Sequence, residues 1–243
     1  MRTVFIGGGT GTIGSELVRS FVANGYRVAF SYNRHMDQAR ALAAEYDLEI
    51  YEIDFLSDWT PPTEAPDILI NNAGVNLSGH SLEHTTDREI ESSTQVNLLA
   101  PLRLARQYAP SMIEKGFGRI ININSLYGLY APALRLSYSV SKFALRAMTM
   151  TLSQELAPYG ITVNDVCPGP VDSDMLRKMG AEAVARGRFT DLQHYLAAVA
   201  DDVPIKRLIS AEDVAAVALF LASDQASACT GQAICVDGGL LNR

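Results

Sequence analysis

Tyr138 and Lys142 stand four residues apart in the run Leu136-Ser137-Tyr138-Ser139-Val140-Ser141-Lys142. On a helix that spacing puts both side chains on one face. A lone phenol titrates near pH ~10 and exchanges protons poorly at neutrality. A neighbouring ammonium favours the phenolate and draws that pKa down, so Tyr138 could serve as general acid or base for an oxygen beside it. Ser125, at the end of the preceding apolar run, offers a hydroxyl to the same oxygen. Taken alone, Tyr-x-x-x-Lys is more readily a chance pair on a solvated helix. The company it keeps changes the balance.

The elements that must hold this pair are legible in the order of the chain. A strand over 119–124 precedes it, and helical periodicity runs from Ser137 to Ala157. Near the start, the apolar run Thr3 to Ile6 leads into Gly7-Gly8-Gly9-Thr10-Gly11-Thr12-Ile13-Gly14, and a helical pattern continues from Ser15 to Asn24. Strand, glycine loop and helix give G-x-G-x-x-G its meaning as a dinucleotide fingerprint, here on Gly9, Gly11 and Gly14. Glycines admit a pyrophosphate close to the backbone, and the free N–H groups of the helix start face it. A tight glycine turn with no ligand is the bland alternative.

The next strand, Arg27 to Tyr32, ends at Tyr32-Asn33-Arg34. No carboxylate stands there to bind ribose hydroxyls and select NAD, and Arg34 is placed to accept a 2′-phosphate. NADP is therefore the expected cofactor, with NAD the alternative. After a strand at Glu49 to Ile53, Asp54 is placed for the adenine amino group or is a plain loop acid. Pro61, Pro62 and Pro66 crowd the connection to the next strand, Ile68 to Asn71, and exclude a full crossover helix. Trp59 is then expected to cover the sheet face left bare.

Asn72, Ala73 and Gly74 end that strand with side chains small enough for a cofactor ring. His80 and His84 read as solvated loop residues. Helical periodicity runs from Asp87 to Gln107, broken at Pro101, with Asn97 inside it. A buried helical Asn usually satisfies nearby backbone, and it can also hold a water against a lysine. A strand over 160–166 ends in the corner Cys167-Pro168-Gly169-Pro170-Val171-Asp172-Ser173, where Val171 and Ser173 could meet a carboxamide. Residues 175–203 read as a helical flap over a substrate site. A helix at Ala211 to Ala222 and a strand at Ala233 to Val236 close the chain.

Alternating strands and helices predict an α/β fold, a doubly wound parallel sheet of Rossmann type, in one domain over 1–243 with the third-to-fourth crossover helix shortened or missing. Ligands of such sheets bind at the carboxyl ends of the strands, and the residues named above gather there. The 243 residues, 48% hydrophobic, can bury a substantial core. A net charge of -7 argues against a nucleic-acid footprint. No apolar run approaches a membrane span, and the start lacks the pattern of a secretory signal. Cys167, Cys229 and Cys235 show neither metal-ligand spacing nor a disulfide framework, so no metal is expected and a cytoplasmic setting is.

With the glycine loop 8–14, Asn71-Asn72-Ala73-Gly74, Asn97, Ser125, Tyr138-Ser139-Val140-Ser141-Lys142, Pro168-Gly169 and Val236-Asp237-Gly238-Gly239 in this order, the chain resembles the short-chain dehydrogenase/reductase family over nearly its whole length. It is similar to the 3-oxoacyl-[acyl-carrier-protein] reductases and related NADPH ketoreductases. The resemblance implies Asn97, Ser125, Tyr138 and Lys142 as a catalytic tetrad. Gly8, Thr10, Gly11, Thr12, Ile13, Gly14, Asn33, Arg34, Asp54, Asn72, Ala73, Gly74, Tyr138, Lys142, Pro168, Gly169, Val171 and Ser173 fall on its cofactor side. It also implies a homotetramer or dimer packed partly through two long central helices, acting on a small or carrier-bound carbonyl compound. Thr12 departs from the family's compact members, which usually have glycine there. Oxidation of a sugar, sterol or other secondary alcohol, and a non-catalytic dinucleotide sensor, are the rival readings.

Overall fold

Apolar runs without polar alternation are strands covered on both faces, and parallel sheets are built from them. Residues 1–242 are described by the computed structural model. In chain order they form β1 (Thr3–Gly7), α1 (Thr12–Ala23), β2 (Arg27–Tyr32), α2 (Met36–Tyr46), β3 (Glu49–Glu52) and β4 (Ile68–Asn71). Then come α3 (Asp87–Thr94), a π turn (Gln95–Leu99), α4 (Ala100–Lys115), β5 (Gly118–Ile123), α5 (Leu136–Leu156) and β6 (Ile161–Pro168). The chain closes with α6 (Asp174–Ala185), α7 (Leu192–Asp202), α8 (Ala211–Ala222) and β7 (Ala233–Val236). The sheet order is β3-β2-β1-β4-β5-β6-β7, and every neighbouring pair is parallel. Strand order reverses between β1 and β4, so the ligand crevice opens at their carboxyl ends.

Two apolar layers sandwich the sheet. Leu17, Val18 and Phe21 of α1 meet Val214, Ala218 and Leu221 of α8 on one face. Leu104, Tyr108 and Met112 of α4 pack against Phe5, Leu69 and Ile120 on the other. Each large side chain so buried contributes about 1.5–3 kcal/mol.

A row of polar residues lies within the second layer. Asn71, Asn122 and Asp165 are register partners across β4, β5 and β6. Asn71 donates to Asn122 at 2.7 Å, Asn122 to Thr149 at 2.8 Å, and the Thr149 hydroxyl to Asp165 at 2.6 Å. Thr149 belongs to α5, so the row locks that helix in one register on the sheet; apolar contacts alone would allow sliding.

The connection from β3 to β4 carries no helix, as its prolines require. Phe55 and Trp59 stack edge-on at 4.9 Å and join the apolar layer, and Tyr108 donates to the Pro62 carbonyl at 3.1 Å. Where the sequence predicts a helix broken at Pro101, the helical rod runs on to Lys115. The π turn absorbs the proline: the Ala100 N–H bonds the Gln95 carbonyl, five residues back. Pro101 has no N–H to give the Asn97 carbonyl. The strand expected over 160–166 continues through Pro168, paired with β7 to Val236. Helix α2 is not evident in the sequence, since it buries only Ala39 and Leu42.

Candidate active site

Ser125 stands two residues past the end of β5, and its hydroxyl accepts the Tyr127 N–H at 3.1 Å. Tyr138, in the first turn of α5, is buried with its phenol under the influence of the Ser125 hydroxyl, and the Tyr127 ring stands edge-on to it at 6.1 Å. Lys142 stands one turn further, its Nζ 5.8 Å from the Tyr138 ring centroid. The Lys142 ammonium donates to the Ile123 carbonyl at 2.9 Å, and the Asn124 amide holds the Lys142 carbonyl at 3.3 Å. The serine, tyrosine and lysine singled out by type and spacing are thus brought together at the end of β5.

Their titration runs opposite to the expected direction. Burial pushes the Tyr138 phenol up to about 12, against the downward pull of the Ser125 hydrogen bond and the Arg135 charge. Burial also brings Lys142 down to about 8, while Asp165 opposes that fall. Desolvation is the largest effect on both groups, and the lysine spends a donor on Ile123 rather than on the phenol. At neutral pH Tyr138 carries its proton, so the group is poised as an acid and not as a phenolate.

Asn97 lies in the π turn, fully buried. Its Oδ1 accepts the Val75 N–H at 2.9 Å, and its Nδ2 donates to the Val75 carbonyl at 2.9 Å and the Ser141 hydroxyl at 3.0 Å. The side chain clamps the segment after β4 to α5. Both Nδ2 protons of Asn97 are so engaged, and none is left for a water against Lys142. Ser141 and Asn124 have no signal in the sequence beyond being polar residues in apolar surroundings.

At the other end of the crevice, Gly11 caps α1 without a side-chain hydrogen bond, and no atom lies within 4 Å of where its Cβ would stand. Gly14 is the opposite case, since a Cβ there would sit 2.0 Å from the Gly8 carbonyl oxygen. Thr12 and Ile13 form the first turn, and Thr10 is buried behind it. Gly8 adopts φ of 79° and passes against Ala73, while Asn72 donates to the Gly8 carbonyl at 2.7 Å. Asn72 therefore staples the glycine loop to β4. An uncapped helix start with an open glycine face fits the phosphates of a dinucleotide.

Arg34 is exposed just past β2. Asn33 donates to Asp54 at 3.1 Å, and the same Asp54 oxygen caps the Leu56 N–H, so the other oxygen is left for an adenine. Beyond β6, Gly169 bonds the Val236 carbonyl and presses on Asp237. The Ser173 hydroxyl caps α6 at Leu176 and donates to the Val171 carbonyl at 3.2 Å. That engagement makes Ser173 a helix cap, and the Val171 backbone is the group left for a carboxamide. Helices α6 and α7, with Tyr195 packed on Gly180, fill the stretch read as a flap. Met179 and Arg186 of α6 and its end reach Asn76 and the Gly79 carbonyl across the crevice. His80 lies beside Glu89, and His84 beside Ser81.

A family model described as "Enoyl-(Acyl carrier protein) reductase" matches residues 9–241. The cyclic-di-GMP-binding biofilm dispersal mediator protein of Escherichia coli (strain K12) is 35% identical over 243 residues, covering 98% of this chain and 96% of its own. The 3-oxoacyl-[acyl-carrier-protein] reductase FabG of Rickettsia prowazekii (strain Madrid E) is 32% identical over 246 residues, covering 99% and 97%. A variant of actinorhodin polyketide ketoreductase solved with NADPH superposes with a TM-score of 0.90 at 27% identity, covering 100% of this chain and 98% of that one. The chain belongs to the short-chain dehydrogenase/reductase family and is an NAD(P)-dependent oxidoreductase of that family.

Proposed function

We propose that this chain uses NADPH to reduce a carbonyl to a secondary alcohol, on a substrate of the 3-oxoacyl thioester class. The observation that carries the reading is the buried Tyr138 phenol at the Ser125 hydroxyl, one helical turn from Lys142 at the end of β5. A reductase needs a proton donor at the substrate oxygen, and a phenol held near 12 supplies one throughout the neutral range. The nicotinamide, when bound, supplies the hydride. Ser125 steadies the carbonyl oxygen as negative charge grows on it, and Tyr138 delivers the proton there. Lys142 is one helical turn from the tyrosine, placed to bind ribose hydroxyls and, with a water on the Asn97 carbonyl, to return the proton. Gly11 and the first turn of α1 hold the pyrophosphate, and Arg34 meets the 2′-phosphate where β2 offers no carboxylate.

Helices α6 and α7 act as the flap over the substrate. The three free thiols support a reducing, cytoplasmic setting. A non-catalytic dinucleotide sensor is the second reading, the E. coli relative being named for binding cyclic-di-GMP rather than for a reaction. Steady-state assays with NADPH and NADH against acetoacetyl-CoA and cyclohexanone decide between them. NADPH-dependent turnover of the thioester is the expected result. Tight NADPH binding with no turnover of either ketone would return the sensor.

A further inference from the structure

Arg135 ends the loop before α5, three residues ahead of Tyr138. Its guanidinium is half-buried and touches one protein acceptor, the Ser78 carbonyl, at the outer limit of 3.5 Å. Among the described residues no carboxylate pairs with it, whereas the partly buried Arg146 has Asp165. Arg135 is near enough for its charge to act on the Tyr138 phenol and on Tyr195 of α7. Tyr127 stands edge-on to Tyr138 and walls the phenol.

With one long hydrogen bond, most of this guanidinium's donors are left for a ligand. Its planar fork is the donor set that matches a carboxylate with two parallel hydrogen bonds. We propose that Arg135 is the anion-binding residue of the substrate site, and that the site also takes an oxo acid whose own carboxylate lies a few atoms from the carbonyl reduced at Tyr138. One helical turn separates the two side chains, which limits the distance between anion and carbonyl. A carrier's phosphate is too remote, because the whole pantetheine arm separates it from the thioester. Arg186 bonds the adjacent Gly79 carbonyl at 3.3 Å but is exposed, where an ion pair is worth little. The inference rests on the carbonyl-reductase reading and adds the free oxo acid to the thioester as a substrate of the same site.

The test compares acetoacetate, its neutral ethyl ester and acetoacetyl-CoA as substrates with NADPH. Wild-type enzyme is expected to show a higher kcat/KM for the acid than for the ester. Arg135→Gln should lower that acid-to-ester ratio about tenfold to a hundredfold, through KM, the span of a lost charged hydrogen-bond pair. Arg135→Lys, which keeps the charge without the fork, should recover part of it. Equal or better use of the ester by the wild type overturns the proposal whatever the variants do. An unchanged ratio in Arg135→Gln overturns it too, as does a KM change confined to acetoacetyl-CoA. If the wild type reduces none of the three, the reductase reading fails. Calorimetric titration of acetoacetate into the NADP-loaded protein then decides: binding lost in Arg135→Gln supports the anion site, and equal or absent binding rejects it.

Discussion

A phenol and an ammonium one helical turn apart attract each other, but both lose water when the chain folds over them. For Tyr138 and Lys142 the loss of water is the larger effect, and each is driven toward its neutral form. Lys142 falls from an ordinary 10.5 to about 8, so the folded protein holds that proton less tightly than the unfolded chain. By linkage, its contribution to stability is unfavourable below about 8 and improves as pH rises toward 10.5. For catalysis the same shift predicts that kcat/KM for reduction is level up to about 8 and falls above it as Lys142 loses charge. Tyr138, near 12, keeps its proton throughout that range. The pH–rate profiles of the wild type and Lys142→Met check this: the variant should be slow, with no inflection near 8. A wild-type profile that rises through that region would contradict it. Spacing alone was enough to pair Tyr138 with Lys142 and to add Ser125. It could not reveal the direction of their shifts, because burial and the Ile123 carbonyl arrive only with the fold. The Asn97 clamp on Val75 and Ser141 was hidden for the same reason, its partners being brought together from three parts of the chain.

At the level of elements, the glycine loop separates two jobs that its sequence runs together. Gly14 is required by packing, with the Gly8 carbonyl 2.0 Å from any Cβ, whereas Gly11 faces open space. Gly14→Ala should therefore fail to fold or lose several kcal/mol, the range in which forced overpacking and strain fall. Gly11→Ala should fold, with about 1 kcal/mol lost at the cap, and bind NADPH at least ~10-fold more weakly through steric block at the helix start. Thermal melts and NADPH titrations of both variants read the difference, and normal NADPH affinity in Gly11→Ala would sink the phosphate assignment. Prolines were the most legible elements: Pro61, Pro62 and Pro66 excluded a helix, and none forms between β3 and β4. Pro101 misled because a π turn supplies five-residue hydrogen bonding that helical periodicity does not register. Helix α2 escaped notice for lack of an apolar stripe.

Across the whole molecule, α5 is apolar on two sides. Its inner face carries Leu145 and Met148 into the molecule, while Leu136, Val140, Phe143 and Met150 share an outer stripe and remain exposed. A helix apolar on both sides is built to be covered on both. With exposed Leu102 and Ile113 on α4, the stripe fits the homodimer or homotetramer that the family resemblance implies. Phe143→Glu with Met150→Glu should shift the protein to monomer in light scattering while leaving its helical circular dichroism intact. A wild type that is already monomeric would reject the assembly. The doubly wound sheet itself was legible from its apolar runs and their alternation with helices. The strand-end convergence of the site followed from that topology, and the buried polar row that fixes α5 on the sheet did not.

The central claim is that Tyr138 hands a proton to a substrate oxygen. The direct measurement is single-turnover oxidation of NADPH by Tyr138→Phe with a ketone the wild type reduces. NADPH affinity should be retained and the rate should fall at least ~10²-fold, the usual span of general acid catalysis. A variant that turns over as fast as the wild type would contradict the account.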